Sequence, residues 1–146
     1  MADVNIIKDR IIEKLEGLST IQKVYPSEAI PDGWPCAFVR TADLENSFAS
    51  TAENSRVYGF KITVAMLTGQ DMVPEAERER LDYAERVLND CLDQIIEAFD
   101  EDIELGNAPV LYTEAIDCTW GYMEFEGGVA QALEFTLKIY TETAVT

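Results

Sequence analysis

Residues 56–67 read RVYGFKITVAML. On an extended chain Tyr58, Phe60, Ile62, Val64 and Met66 fall on one side, and Val57, Gly59, Lys61, Thr63 and Ala65 on the other. This period of two marks a β-strand with one apolar face. Working outward, Ile116 to Tyr122 and Val129 to Tyr140 carry the same period. In the first, Ile116, Cys118, Trp120 and Tyr122 share a face, and in the second Val129, Leu133, Phe135, Leu137 and Ile139 do. Gly127 and Gly128 between them suit a hairpin turn with positive φ.

Two helical stripes flank these strands. Val4, Ile7, Ile11, Ile12, Leu15 and Leu18 recur at spacings of three and four behind Asp3, a capping residue, and Gly17 is placed to end that helix. Leu81, Ala84, Leu88, Cys91, Leu92, Ile95, Ile96 and Phe99 predict a second helix over about Glu75 to Phe99, with Pro74 at its start and Asp82 supporting Arg86. Short strands are expected at Ile21 to Tyr25 and Cys36 to Arg40. The turn-rich connection around Pro26, Pro31, Asp32, Gly33 and Pro35 holds Trp34, which is expected to lid one end of the core. Residues 41–55, TADLENSFASTAENS, are a polar stretch too long for a tight hairpin and are expected to form a long loop, and the tail TETAVT is expected to be loose. The element order implies an α+β fold with two layers, a mostly antiparallel sheet with two helices packed on one face. All 146 residues fit a single domain (1–146).

The charge narrows the function. Eleven lysines and arginines stand against 28 acids, a net charge of −17, so a general phosphate-binding surface or an anionic membrane partner is disfavoured. With no histidine the commonest general base and metal ligand is missing, and no glycine-rich phosphate loop occurs. With this many carboxylates, close pairs arise by chance and no catalytic pair stands out. The acidic run Asp100, Glu101, Asp102 and Glu104 opposes the negative end of the second helix, and it lacks the spacing of a calcium loop. Cys36, Cys91 and Cys118 share no metal-ligand spacing and read as buried free thiols of a cytoplasmic protein. A catalytic residue, a cofactor site and a metal site are therefore not expected. The aromatics Tyr58, Phe60, Trp120, Tyr122, Phe125, Phe135 and Tyr140 are better explained by core packing than by base stacking, since so few cations (Arg40, Arg56, Lys61, Lys138) lie near the sheet.

The N-terminal helix, the central strand RVYGFKITVAML after a long polar stretch, the long helix ending LNDCLDQIIEAF and the closing hairpin with EFTLKIYT resemble the tail terminator and related head-tail neck proteins of tailed bacteriophages. The resemblance implies a viral structural protein, not an enzyme: a hexameric ring that caps the tail tube and joins the tail to the head, at the neck of a virion assembled in the bacterial cytoplasm. Implied partners are further copies of itself, the tail-tube protein and a head-tail connector or adaptor protein. DNA would pass through an acidic lumen without specific binding. Leu44, Glu45, Asn46, Phe48 and Arg56 are the candidate interface residues, and the strands near Phe38 and Ile139 are candidate pairing edges. Two alternatives stay open: another connector or adaptor ring of the same assembly, and an acidic inhibitor that mimics DNA.

Overall fold

The computed structural model describes residues 4–27, 31–48, 53–67, 74–101, 112–125 and 128–144, with side chains for 4–27, 31–42, 56–67, 81–101, 117–124 and 129–141. The elements in chain order are α1 (Val4–Glu16), β1 (Lys23–Tyr25), β2 (Cys36–Phe48), β3 (Glu53–Leu67), α2 (Pro74–Glu101), β4 (Tyr112–Phe125) and β5 (Gly128–Ala144). The strands form one sheet in the order β1-β2-β3-β5-β4. β1 runs parallel to β2, and every other pairing is antiparallel. Both helices pack on one face, as the two apolar stripes require.

The central strand lies in the middle of the sheet. Phe60 stands opposite Leu137 and Ile62 opposite Phe135, and directly opposite residues project to the same side. Together with Ala37, Val39 and Tyr58 they receive Ile7, Ile11 and Leu15 from α1 and Leu88, Cys91, Ile95 and Phe99 from α2. Gly17 ends α1 as expected, its N–H donating to Glu13 O at 3.2 Å, while Leu18 folds back onto the core. Asp3 lies outside the described residues. Gln94 of α2 ties the next turn down: its Oε1 accepts from Thr20 Oγ1 at 2.8 Å and Thr20 N at 3.3 Å, and its Nε2 donates to Ser19 Oγ at 3.1 Å.

The opposite face is not wholly solvated. Cys36, Phe38, Ala65, Ala130 and Ala132 form a second, smaller buried cluster against which Tyr25, Trp34 and Met123 pack. Trp34 therefore covers this cluster and not the main core. Its N–H donates to Gln22 Oε1 at 3.1 Å, Tyr25 stacks on Phe38 with ring centroids 5.2 Å apart, and the Trp34–Pro35 peptide is cis. The rest of this face carries Arg40, Lys61, Thr63, Glu134, Thr136 and Lys138. There Lys61 Nζ lies 3.3 Å from Glu134 Oε1 in a half-exposed pair.

Four expectations are corrected. Residues 41–48 and 53–55 are strand: β2 and β3 continue as one long hairpin, from Cys36↔Ala65 to Phe48↔Asn54, with a bulge between Thr41 and Asp43. Only 49–52 remain between the two strands. A polar sequence is held extended here by the backbone ladder, which needs no apolar alternation. The tail is strand as far as Ala144 because β3 reaches back to Glu53 and offers it a partner. Thr141 is fully buried, and its Oγ1 donates to Arg56 O at 3.2 Å.

The third correction concerns β4. Ile116 pairs with Thr136 but Thr119 pairs with Glu134, so one extra residue enters β4 at a bulge. Asp117 occupies the bulge with φ of 53°, a left-handed conformation that aspartate tolerates better than most residues. Ile116 thus does not share the face of Cys118, Trp120 and Tyr122. The fourth concerns the edges. Phe38 pairs on both sides, with Tyr25 and Thr63, and Ile139 lies between Tyr58 and Thr113. Neither position is an edge.

Candidate interaction surfaces

The open edges lie elsewhere. β1 covers β2 only from Cys36 to Phe38, which leaves the outer side of β2 from Val39 to Phe48 unpaired among the described residues. Among the described residues β4 has no strand on its outer side. β4 ends opposite Tyr140, so beyond that point the sheet narrows to an arm of β2, β3 and β5. Among the described residues no strand covers either flank of the arm, and such edges are ready templates for pairing with another chain.

Asn46, Phe48 and Arg56 fall on this arm, with Glu45 at its root and Leu44 one residue before it. Leu44 stands opposite Tyr58, Glu45 opposite Val57, Asn46 opposite Arg56 and Phe48 opposite Asn54. The register therefore brings Leu44, Asn46, Phe48 and Arg56 into one phase and Glu45 into the other. The side chains of Leu44, Glu45, Asn46 and Phe48 lie outside the described residues. Arg56 is half-buried, and its carbonyl is held by Thr141.

A second surface was not expected from the sequence. The bulge at Asp117 turns Trp120 and Tyr122 toward the helix side, where both remain exposed, at 50% and 67%. They are not core residues, unlike Phe60 and Phe135. Trp120 Nε1 donates to Asn89 Oδ1 of α2 at 3.0 Å, which fixes the indole as a bridge from sheet to helix. Beside it opens a groove of ≈ 170 Å³ lined by Glu85, Leu88, Trp120, Tyr122 and Gln131. Gln131 Oε1 is buried there with no donor among the described residues. One sequence signal was available: two aromatics flanking Gly121 on a strand that contains Glu114, Asp117 and Glu124 but no lysine or arginine.

The thiols offer no chemistry. Burial pushes Cys36 up to about 12, the charge of Asp32 adding to it. Cys91 and Cys118 are also raised, chiefly by burial, so all three are held as neutral thiols and not as nucleophilic thiolates. Among the described residues no three Cys, Asp or Glu gather as a metal site, and no helix is long and apolar enough to cross a membrane.

No family model matches the chain, and no curated protein sequence matches it. Among solved structures, the chain is similar to one from the virion of a native gene transfer agent particle, with a TM-score of 0.49 and 8% identity over 94% of this chain and 95% of that one.

Proposed function

We propose that this chain is a structural component of a tailed-phage virion, a tail terminator. Copies of the single domain 1–146 would close into a hexameric ring at the neck, cap the tail tube and meet a connector or adaptor protein on the head side. Another neck or adaptor ring of the same assembly is the neighbouring reading.

The observation that carries the proposal is the arm of β2, β3 and β5. Among the described residues it extends past the end of β4 with no strand on either flank, and it carries the positions of Asn46, Phe48 and Arg56, with Leu44 and Glu45 at its root. An arm that needs outside partners for its flanks suits a protein whose activity is binding, and head-to-tail contacts of one patch with another close into rings when the rotation permits. A DNA mimic fits less well. It needs carboxylates across its surface, whereas Arg40, Lys61 and Lys138 share the face away from the helices, with Arg40 directly opposite Lys61.

Light scattering over a concentration series, with negative-stain imaging, tests the proposal on the chain alone and with tail-tube protein. Rings of about six copies, free or templated on tube ends, are expected from a closed cyclic assembly. Absence of rings in both samples overturns the function. If alanine at Glu45, Phe48 and Arg56 together leaves ring formation and tube capping intact, the interface assignment fails while the ring reading stands.

A further inference from the structure

We propose that the outer edge of β4 and the groove beside it form a docking site for an extended, basic segment of a partner polypeptide, which adds to the sheet as a sixth strand. The site is separate from the arm and does not depend on the ring reading.

Three independent features converge on it. The first is the unpaired edge itself. β4 spans Tyr112–Phe125, and a row of free backbone donors and acceptors gives an incoming strand its affinity. Natural edges are commonly protected by lysine, proline or a bulge; this one has neither lysine nor proline, and its bulge leaves Thr119 to Phe125 in regular register. The second is the rigid aromatic floor. Trp120, fixed by Asn89, and the exposed Tyr122 offer faces to alkyl stems and to cations. The third is Gln131 Oε1, buried and with no donor among the described residues. An acceptor in that state calls for a donor from outside, because a buried unsatisfied oxygen carries a desolvation penalty.

Charge chooses the occupant. Glu85 lines the groove, and Asp117 and Glu124 lie exposed on the strand. Arg86 is the only cation among residues 81–101, and Asp82 already engages it at 2.8 Å. A second copy of this chain joined edge to edge would add Glu114, Asp117 and Glu124 and no lysine or arginine to the same three acids of this β4, so no opposite-charge pair could form across the junction. A lysine- or arginine-bearing strand instead offers opposite charge to Glu85, Asp117 and Glu124, whereas Glu114 already stands opposite Lys138.

The test uses the full chain, labelled with ¹⁵N, and a short peptide alternating lysine with valine. Two controls accompany it: the same peptide with glutamate for lysine, and the lysine peptide N-methylated on alternate backbone nitrogens. The lysine peptide is expected to shift the Trp120 indole signal, assigned by Trp120→Phe, and to protect β4 amides from exchange. Neither control should do so. Glu85→Lys is expected to weaken binding about 3- to 10-fold and to flatten its salt dependence. Tyr122→Ser, a change at an exposed position that leaves the rest of the spectrum in place, should weaken it as well. Equal binding of the glutamate peptide overturns the charge argument, and equal binding of the N-methylated peptide overturns strand addition. No binding, or concentration-dependent protection of β4 in the chain alone, overturns the proposal, the latter because the occupant would then be a second copy.

Discussion

The two edges of the sheet are finished in different ways. At one, the three-residue β1 pairs with β2, and the connection behind it folds over the helix-free face so that Cys36 and Phe38 are buried under Tyr25 and Trp34. At the other, the fourteen residues of β4 have no outer neighbour among the described residues, with a tryptophan and a tyrosine half or more exposed. Both edges use aromatic side chains. In the first they are spent on stability, and in the second they are held on a fixed frame and left available. An exposed aromatic next to a covered one shows which surface the fold can leave unprotected without unfolding.

The largest effect should come from crossing that divide. Phe38→Ala removes a buried ring from the small cluster and is expected to cost about 3 kcal/mol, whereas Tyr122→Ala at the open edge should stay within about 0.5 kcal/mol. Urea unfolding of both variants measures the difference. Equal costs would mean that Tyr122 is part of the packed structure and that the open edge is closed in solution.

Legibility in the sequence followed the same divide. Wherever a segment buries one face, its period reported it: Tyr58 to Val64, Leu133 to Ile139 and the stripes of α1 and α2 all lie where alternation or helical spacing places them. Segments held by the ladder alone carried no such mark. Residues 41–48 are extended because 54–60 fold back beside them as the other arm of a hairpin, and 141–144 because β3, distant in sequence, is there to bond them. Strand order is equally silent in local pattern. β5 follows β4 in the chain but inserts between β4 and β3, which takes Ile139 from a presumed edge to the interior and leaves β4 outermost. Of the candidate positions Leu44, Glu45, Asn46, Phe48 and Arg56, only Phe48 was marked by its odd place in a polar stretch, and the others by lying on and beside that stretch. The groove at Trp120 was missed because a one-residue bulge, invisible to alternation, decides which way that strand faces.

That bulge supplies an intermediate effect. Asp117 at φ of 53° places Trp120 opposite Leu133 instead of Ala132. Asp117→Gly accepts the conformation and should change stability by no more than about 0.5 kcal/mol. Asp117→Val is strained there and should cost about 1–2 kcal/mol. The indole signal of Trp120 should keep its bonded position in the glycine variant and shift or broaden in the valine variant as the bond to Asn89 weakens. If valine is tolerated with the indole unmoved, the bulge is not what aims the open edge.

The smallest effect sharpens the closed edge. The Tyr25 hydroxyl donates to the Asp32 carboxylate, and the Asp32 N–H donates back to the hydroxyl at 2.8 Å, pinning the connection over the small cluster. This hydrogen bond, then the charge of Lys23, holds the Asp32 carboxyl below the ordinary aspartate range. A lowered carboxyl stabilises the fold at every pH above that range, and the contribution is lost as pH falls through the lowered value, when the unfolded chain has already taken up its proton. Asp32 is exposed, so the effect is slight and local. Acid titration of Trp34 fluorescence in a Trp120→Phe background should show a step below the ordinary aspartate range, and Asp32→Asn should remove it. A step within the ordinary range, or one that survives in the asparagine variant, would mean that the closed edge is held by packing of Trp34 and Tyr25 alone, without help from the carboxylate.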